Sequence, residues 1–424
     1  MGKVVKLEPQ GKDRSAPGVR PRPKRSKSAL VLGGGGFTGG VYAIGALRAL
    51  DLLTVNRTVN DFDVYVGTSA GAFVASMTAN GVTPEEMMRV VDRQRPTPFP
   101  DLDIGNLLRP NLVGFAKSAL TLPLRTVQLV RGVAAQLGQV SAMDVVLGLA
   151  EGLPSGAYSG AGVERYLRAV LTSDPSRSDD FRTLLPELYI TATDLDTCER
   201  IVFGAEGWED VPISTAVRAS TALPMVYSPV KVRERELVDG GIVSTTNLDL
   251  AVSSGAKFIV VVNPLVPYVN DFKTTIRTLG GVRTRRVSDM GFPQIGYQAF
   301  KMVAYQRLHE MARQWEQRYP GVDIVLIEPE PDDELMFQTP IMNFTSRVEI
   351  ARHGFQSVTT QLASGYPRYR EICKRHGIEI SATRVRKVMK HFEADQGRTR
   401  AWRKILEQTT GALLRQSGDQ AERG

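Results

Sequence analysis

Two consecutive units, each a short apolar strand followed by a glycine turn and a helix, constrain the fold of this chain more than any other sequence feature. The first runs through a strand at 29–32, a glycine loop at 33–40 and a helix with regularly spaced apolar residues. The second runs from the strand FDVYV, 62–66, into a helix that closes at Asn80-Gly81. This alternation is typical of a parallel sheet covered by helices. The sequence therefore predicts an α/β fold.

The alternation of strands and helices resumes after an interruption at about 95–150. Strands are predicted at the apolar runs ELYITATDL, RIVFG, RELVDGGI, KFIVVVN and VDIVLIEP. Helices are predicted at 162–171, 211–223, about 294–318 and about 346–364. No internal repeat is visible, so these elements are expected to extend one sheet rather than to build an array.

The interruption at about 95–150 is interpreted as an insertion into the sheet-building pattern. Five prolines break it, and it mixes apolar residues with Lys117, Arg125 and Arg131. An amphipathic helix packed on the body explains this composition, and so does a lid whose apolar side faces a membrane. The sequence leaves both interpretations open.

Residues 1–28 are predicted to form a disordered basic arm. They contain nine Lys or Arg against Glu8 and Asp13, with prolines interspersed, and supply most of the net charge of +8. Such an arm attracts polyanions such as anionic lipid headgroups, although a purely solubilising tail has the same composition. The rest of the chain is nearly neutral, which argues against nucleic acid as a partner.

Signals for secretion or membrane insertion are not recognisable in the sequence. The first residues lack an apolar core, and no run of about 18 uncharged apolar residues occurs. Cys198 and Cys373 are too few and too far apart for a metal cluster or a disulfide framework. We therefore expect a cytoplasmic protein, with peripheral contact with a membrane surface as a further expectation.

Gly67-Thr68-Ser69-Ala70-Gly71 stands where the second strand turns into its helix. A G-x-S-x-G string is weak alone, but this strand-turn-helix context is the one that a nucleophilic serine needs. The turn lifts the hydroxyl out of the backbone, and the two glycines remove side chains that would clash there. Ser69 is therefore a candidate nucleophile, with a small residue in an ordinary loop as the alternative.

Gly34, Gly36 and Gly39 form a G-x-G-x-x-G pattern between the first strand and its helix. A dinucleotide site would need an acidic residue at the end of the next strand, whereas Asp51, Asp61 and Asp63 all precede the VYV segment of that strand. A glycine loop at a helix start also presents backbone N–H groups to an anion, as an oxyanion hole requires. A purely structural glycine turn is the alternative.

Asp239 ends a predicted strand and is followed by Gly240 and Gly241. Parallel α/β sheets gather their sites at the carboxyl ends of their strands, so this carboxylate is expected at the same edge as Ser69. It can accept the serine proton and return it to a leaving group. An ordinary D-G-G turn is the alternative.

The three patterns, in this order, resemble the motifs of the patatin-like phospholipase family. The stretches LPSGAYSGAGVERYLR, LYITATDLDTCERIVFG, VPISTAVRASTALPMVYSPV and LVDGGIVSTTNLDLA also look like that family. The resemblance covers about residues 29–255. It implies a three-layer α/β/α fold with a mostly parallel central sheet, a lid-like helical insertion and a helical C-terminal extension.

The resemblance also implies a lipid acyl hydrolase that uses a Ser/Asp dyad and acts on a lipid substrate. Ser69 would be the nucleophile, Asp239 the base, and the backbone of Gly34, Gly35 and Gly36 the oxyanion hole. The remaining motif glycines are Gly39, Gly67, Gly71, Gly240 and Gly241. Neither a metal nor another cofactor is implied, and the oligomeric state is not predicted.

Four regions follow from these observations. They are the basic arm at 1–28, the catalytic core at 29–255 with its insertion, a segment at 256–380 that completes the α/β body, and a charged helical tail at 381–424.

Two departures from the family pattern fall in the glycine loop. Thr38, preceded by Phe37, stands where the family has Arg or Lys, and one additional residue lies between Gly39 and the helix that contains Ile44. These departures keep a second hypothesis open, a lipid-binding or scaffolding protein with little activity. A Ser/Asp/His α/β-hydrolase is a third, for which the histidines are His309, His353, His376 and His391.

Other polar residues carry weaker claims. Arg218, Ser220 and Thr221 would line the pocket or simply end a helix, and Asp194 and Asp196 are interpreted as turn formers.

Overall fold

The computed structural model describes residues 25–93, 99–100, 104–121, 153–270, 272, 276–277, 283–284, 286–331, 333, 335–336 and 345–390. Most of the predicted basic arm, most of the predicted insertion and the tail beyond residue 390 lie outside the described residues, and so does His391.

The described strands are short, as expected for a twisted α/β sheet. They are β1 (Ser28–Leu32), β2 (Val64–Thr68), β3 (Gly156–Tyr158), β4 (Glu187–Asp194), β5 (Arg200–Phe203), β6 (Met225–Tyr227), β7 (Val230–Val232), β8 (Arg235–Asp239), β9 (Phe258–Val262), β10 (Ile276–Arg277), β11 (Arg283–Thr284) and β12 (Asp323–Ile327).

The described α-helices range from a single turn to almost six turns. They are α1 (Gly36–Leu53), α2 (Ala70–Ala79), α3 (Pro84–Asp92), α4 (Ile104–Leu107), α5 (Ala161–Leu171), α6 (Ile213–Ser220), α7 (Leu248–Ser253), α8 (Phe292–Ala312), α9 (Trp315–Arg318), α10 (Arg347–Ser364) and α11 (Tyr366–Arg375). Residues 112–121 and 382–390 are also helical. None of the helices in the described ranges has the length and apolar content that a membrane crossing requires.

The central sheet is mostly parallel, which confirms the predicted fold class. Its order within the described residues is β12-β9-β1-β2-β4-β8-β7, and β5 also pairs with β4. The run from β12 to β4 is parallel throughout, whereas β5 and β8 are antiparallel to β4. All of β1, β2 and β9 is buried, as expected of strands covered on both faces.

Helices cover both faces of this sheet. In β1, Leu30 and Leu32 face a core shared with α1 and α2, whereas Ala29 and Val31 face a second core that includes Leu248 of α7. This alternation follows from the two-residue period of a strand. It gives the three layers that the resemblance implies.

Helix α1 begins at Gly36, although the glycine content predicts a loop as far as Gly40. Its first turns need glycine for packing, because a Cβ at Gly39 would lie 3.0 Å from the ring of Pro264 and one at Gly40 3.3 Å from Ala70. The additional residue noted in the sequence therefore lies inside α1 and lengthens no loop. The predicted helix at about 294–318 is likewise divided into α8 and α9.

Helices α1 and α10 approach each other through two glycines. A Cβ on Gly354 of α10 would overlap the carbonyl oxygen of Tyr42, and one on Gly45 of α1 would overlap that of Ala351. Since Tyr42 and Ala351 are fully buried, neither backbone has room to move away.

We predict that Gly354→Ala lowers the free energy of unfolding by about 1–3 kcal/mol, because the added methyl group overpacks this crossing. Urea denaturation measures the change. The matched control is Gly296→Ala in α8, where a Cβ meets nothing within 4 Å. There the better helix propensity of alanine should leave stability unchanged or raise it by up to about 1 kcal/mol. Equal effects at the two glycines would contradict the prediction.

Candidate active site

Ser69 occupies a strained turn between β2 and α2. Its backbone has φ 56° and ψ −128°, a left-handed conformation that side-chain-bearing residues rarely adopt. The Ser69 N–H donates to Ser220 Oγ at 2.8 Å, which holds the turn from the end of α6. Such strain persists only where the surrounding structure fixes it, and here it presents the hydroxyl at the start of a helix.

Two glycines of the pentapeptide make this turn sterically feasible. A Cβ on Gly67 would lie 2.5 Å from the Cα of Ala72, and one on Gly71 would overlap the carbonyl oxygen of Leu32. A side chain at either glycine would therefore clash with neighbouring backbone, which is the reason predicted for both glycines.

Asp239 reaches Ser69 because both strands that carry them pair with β4. Thr68, the last residue of β2, pairs with Thr191, and Asp239, the last residue of β8, pairs with the next residue, Ala192. The Ser69 hydroxyl donates to Asp239 Oδ2 at 2.5 Å. The structure therefore brings the two predicted catalytic residues into direct contact.

The Asp239 carboxylate is almost fully buried and has two hydrogen-bond donors. Besides the Ser69 hydroxyl, the Gly241 N–H donates to Oδ1 at 2.8 Å. Burial raises the pKa of Asp239 to about 6, and the bonds from Ser69 and Gly241 oppose this rise. The carboxylate is therefore ionised at neutral pH, yet basic enough to accept a proton.

The glycine loop lies against the dyad but does not offer all of its N–H groups. Gly33 donates to Val262 O at 2.9 Å, and Gly34 donates to Thr245 O at 3.2 Å. Within the described residues, the N–H groups of Gly35 and Gly36 donate to no protein acceptor. Both residues have positive φ, 149° and 63°, at the start of α1. Of the three residues predicted for the oxyanion hole, these two keep a free donor.

A cavity of about 150 Å³ opens from the dyad. Ser69, Asp239 and the loop from Gly34 to Gly36 line one part of it, and the rest is mainly apolar. One wall is formed by the faces of α1 and α2 that run away from the dyad. Three residues of α3, Met87, Val90 and Val91, also line the cavity, and all three are buried. The arrangement suits a flexible hydrocarbon chain attached to a group at Ser69.

A buried polar network under the dyad was missed by sequence reasoning. Asn247 Nδ2 donates to the hydroxyls of Thr68 and Thr191 at 2.9 Å each, and Arg200 donates to Asn247 Oδ1 at 3.0 Å. Asn247 is left-handed, with φ 50°, a conformation that asparagine tolerates better than most residues. The available signal was an asparagine eight residues after Asp239.

Helix α8 adds Tyr297 and Phe300 to the dyad's cavity. Burial and the charge of Asp239 raise the pKa of Tyr297, so its hydroxyl stays protonated at neutral pH. No local motif marks these residues in the sequence, because only the folded chain brings them to the dyad.

The residues with weaker claims divide into two groups. Thr221 lines the cavity, and Ser220 holds the Ser69 turn, whereas Arg218 pairs with Glu164 at 3.0 Å. Asp194 accepts from the N–H of Asp196 at 3.0 Å, which is the geometry of a turn former.

The described histidines pair with carboxylates away from the cavity. His309 contacts Glu328 at 2.8 Å, His376 contacts Asp323 at 2.7 Å, and His353 pairs with Asp333. None of these three histidines lines the cavity that contains Ser69.

Comparison with known proteins gives one family. The model of the patatin-like phospholipase family matches residues 30–252, slightly more than half of the chain. A curated relative, the probable lipid hydrolase 463L of Invertebrate iridescent virus 6, is 23% identical over 236 residues. The match covers 54% of this chain and 65% of the viral protein, just under two thirds of its length.

Among the solved structures to which this chain is similar is VipD from Legionella pneumophila. It aligns over 81% of this chain and 67% of its own, with 13% identity and a TM-score of 0.36. The ExoU–SpcU complex from the type III secretion system of Pseudomonas aeruginosa aligns over 86% of this chain and 60% of its own, with 16% identity and a TM-score of 0.32.

We predict that Asp239→Asn stabilises the protein increasingly as the pH rises. The folded-state pKa of about 6 exceeds the ordinary value of 3.8, so the unfolded chain ionises first and wild-type stability falls between these values. A pKa shift of this size lowers the free energy of unfolding of the wild type by about 3 kcal/mol above pH 6. Asparagine does not titrate, so the difference in unfolding free energy should grow by about 2–3 kcal/mol from pH 4 to pH 8.

Urea denaturation across this pH range measures the effect. Asp196→Asn, on the exposed turn after β4, is the control and should follow the wild-type profile. A pH-independent difference between Asp239→Asn and wild type would contradict the burial of an ionised carboxylate.

Proposed function

This chain belongs to the patatin-like phospholipase family, and we propose that it is a serine lipid acyl hydrolase that cleaves ester-linked acyl chains from phospholipids or other glycerolipids. The contact of 2.5 Å between Ser69 Oγ and Asp239 Oδ2, at the end of an apolar cavity, carries this proposal. A hydroxyl bonded to a buried carboxylate is an activated nucleophile, and the apolar cavity accommodates the acyl half of a lipid ester.

In the proposed reaction, Ser69 Oγ attacks the ester carbonyl while its proton passes to Asp239. The N–H groups of Gly35 and Gly36 stabilise the negative charge on the carbonyl oxygen. The proton then moves from Asp239 to the departing alkoxide, which leaves as an alcohol. The acyl group remains on Ser69 Oγ as an acyl-enzyme. Water attacks the acyl-enzyme with Asp239 again as the base, and releases the fatty acid.

The acyl chain is proposed to lie along α1 and α2. Cavity-lining residues extend from Gly36 to Ile44 on α1 and from Ser69 to Met77 on α2. Eight residues of helix span about 12 Å. With C–C bonds of about 1.5 Å in an extended zigzag, that length takes about ten carbons.

Contact with a membrane surface is proposed as the route to the substrate. Leu112, Val113 and Leu120 of the helical stretch 112–121 are exposed by 72%, 80% and 82%. Apolar side chains of this kind enter the lipid interface, and the basic arm favours anionic headgroups. Co-sedimentation with vesicles of neutral and anionic lipids tests this contact, and equal absence of binding to both would refute it.

We predict that Ser69→Ala abolishes acyl release and that Asp239→Asn reduces it by about 10²–10⁴-fold, because the first removes the nucleophile and the second its base. Hydrolysis of short-chain p-nitrophenyl esters and of mixed phospholipid vesicles measures both. Ser76→Ala is the matched control, since Ser76 lies on the same helix and donates to Phe73 O. Undiminished acyl release by Ser69→Ala would end the proposal.

Two further measurements separate the competing hypotheses. Alanine variants of His309, His353, His376 and His391 should each retain acyl release if the dyad acts alone, whereas loss with any one favours a Ser/Asp/His enzyme. A fluorophosphonate should label wild type but not Ser69→Ala. A folded wild type that neither labels nor hydrolyses supports the lipid-binding alternative, for which Thr38 and Phe37 at the start of α1 are the motivating features.

We predict that Val90→Trp shortens the longest acyl chain that is cleaved efficiently, because the indole fills the part of the cavity lined by α3. The readout is kcat/KM for p-nitrophenyl esters from C4 to C16. Butyrate should be affected little, and long chains should lose about tenfold or more. Arg89→Trp, on the exposed side of the same helix, is the control and should leave the chain-length profile unchanged.

A further inference from the structure

A second cavity, also of about 150 Å³, adjoins the dyad on the side of α8. It lies between the segment 241–246, which begins at the last glycine of the D-G-G turn, and the C-terminal half of α8. Gly241, Thr245 and Phe300 line both this cavity and the one that contains Ser69. Since Gly241 also donates to Asp239, the dyad lies next to the junction of the two cavities.

The second cavity differs from the first in its polar groups. Arg307 is the only charged residue that lines it in the part of the chain that the structure describes, and it is exposed. One guanidinium nitrogen donates to Val243 O at 2.6 Å, and the others have no protein acceptor among the described residues. Thr246 also lines this cavity, and its Oγ1 is buried and has no hydrogen-bond partner within the described ranges. Ser244 lines the same wall.

An ester has two halves, and the proposed function places only one of them. If the acyl chain lies along α1 and α2, the alcohol half must leave Ser69 in another direction. The second cavity supplies that direction, because it shares its lining with the dyad's cavity and is reached past Gly241.

We propose that the second cavity binds the phosphate-bearing alcohol half of a glycerophospholipid, with Arg307 as the residue that binds the phosphate. This inference rests on the proposed function. Guanidinium groups bind phosphate oxygens through charge-assisted hydrogen bonds, and Ser244, which also lines the cavity, carries a hydroxyl that is a further donor. A diacylglycerol lacks the phosphate and gains nothing from Arg307.

A purely structural role is the competing explanation for Arg307, since its bond to Val243 O ties α8 to the segment after Asp239. Loss of such a tie would misplace the dyad and lower turnover of every ester. Loss of a phosphate ligand would instead weaken the binding of phospholipids alone.

The test compares wild type with Arg307→Gln on phosphatidylcholine and diacylglycerol of identical chains in the same mixed micelles, and on a p-nitrophenyl ester. For Arg307→Gln we expect the KM for phosphatidylcholine to rise about 10- to 100-fold, because hydrogen bonds to a charged group are lost. The kcat should change little. The diacylglycerol and the p-nitrophenyl ester should keep wild-type values. Arg307→Lys, which retains the charge but not the planar fork, should recover part of the loss.

Arg313→Gln is the control, because Arg313 follows α8 directly and lines neither cavity. Equal losses on all three substrates, or no change in the KM for phosphatidylcholine, would overturn the inference.

A binding measurement separates failure of this inference from failure of the proposed function. In the Ser69→Ala background, calorimetry with a short-chain phosphatidylcholine below its micelle concentration should show weaker binding when Arg307→Gln is added. This holds even if the wild type proves inactive on all esters. Undiminished binding overturns the inference, and so does glycerol 3-phosphate binding as tightly as the phospholipid, which would assign the cavity to a free phosphate ester.

Discussion

The pairing of two strands with consecutive residues of β4 is the constraint on which the rest of the site depends. Thr68 is fixed opposite Thr191 and Asp239 opposite Ala192 by sheet hydrogen bonds. The side-chain contact between Ser69 and Asp239 is therefore a consequence of backbone register. A slip of β8 by one residue would turn the carboxylate to the other face of the sheet. Gly240 secures this register, because any side chain there would overlap Thr191 O.

The site concentrates several unfavourable features in one place. Ser69 has a left-handed backbone, Asp239 is a buried carboxylate, and the N–H groups of Gly35 and Gly36 have no acceptor within the described part of the chain. Each feature costs free energy in the folded state, and each is one that acyl transfer uses. The rigid surroundings make them tolerable. Strands buried on both faces and the hydrogen bonds of Asn247 beneath the turn leave no relaxed alternative for these groups.

The parts of the site that depend on local backbone could be predicted from the sequence. The strand-turn-helix pattern predicted Ser69 as a site residue, and the D-G-G turn at the end of a strand predicted Asp239 at the same edge of the sheet. The parts that depend on long-range contacts could not. The Gly34 N–H donates to Thr245 O, and Ser220 accepts from the Ser69 N–H. Both hydrogen bonds join residues more than 100 positions apart, so the sequence around each residue does not reveal them. The start of α1 was misplaced because glycines that serve close packing look like glycines that serve a loop.

The candidate site draws residues both from the segment that matches the family and from the segment that follows it. The family match ends at residue 252, yet β9 pairs with β1 in the interior of the sheet, and Gly33 donates to Val262 O. Pro264 packs against Gly35 and Gly39, and Leu265 lines the dyad's cavity. Ser69 and Asp239, the proposed nucleophile and base, thus come from the matched segment, whereas Pro264, which packs against the glycine loop, and the whole α8 side of the cavity come from later residues. If the proposed function holds, the matched segment supplies the groups that attack the ester bond, and the later segment shapes the space that is left for the alcohol half.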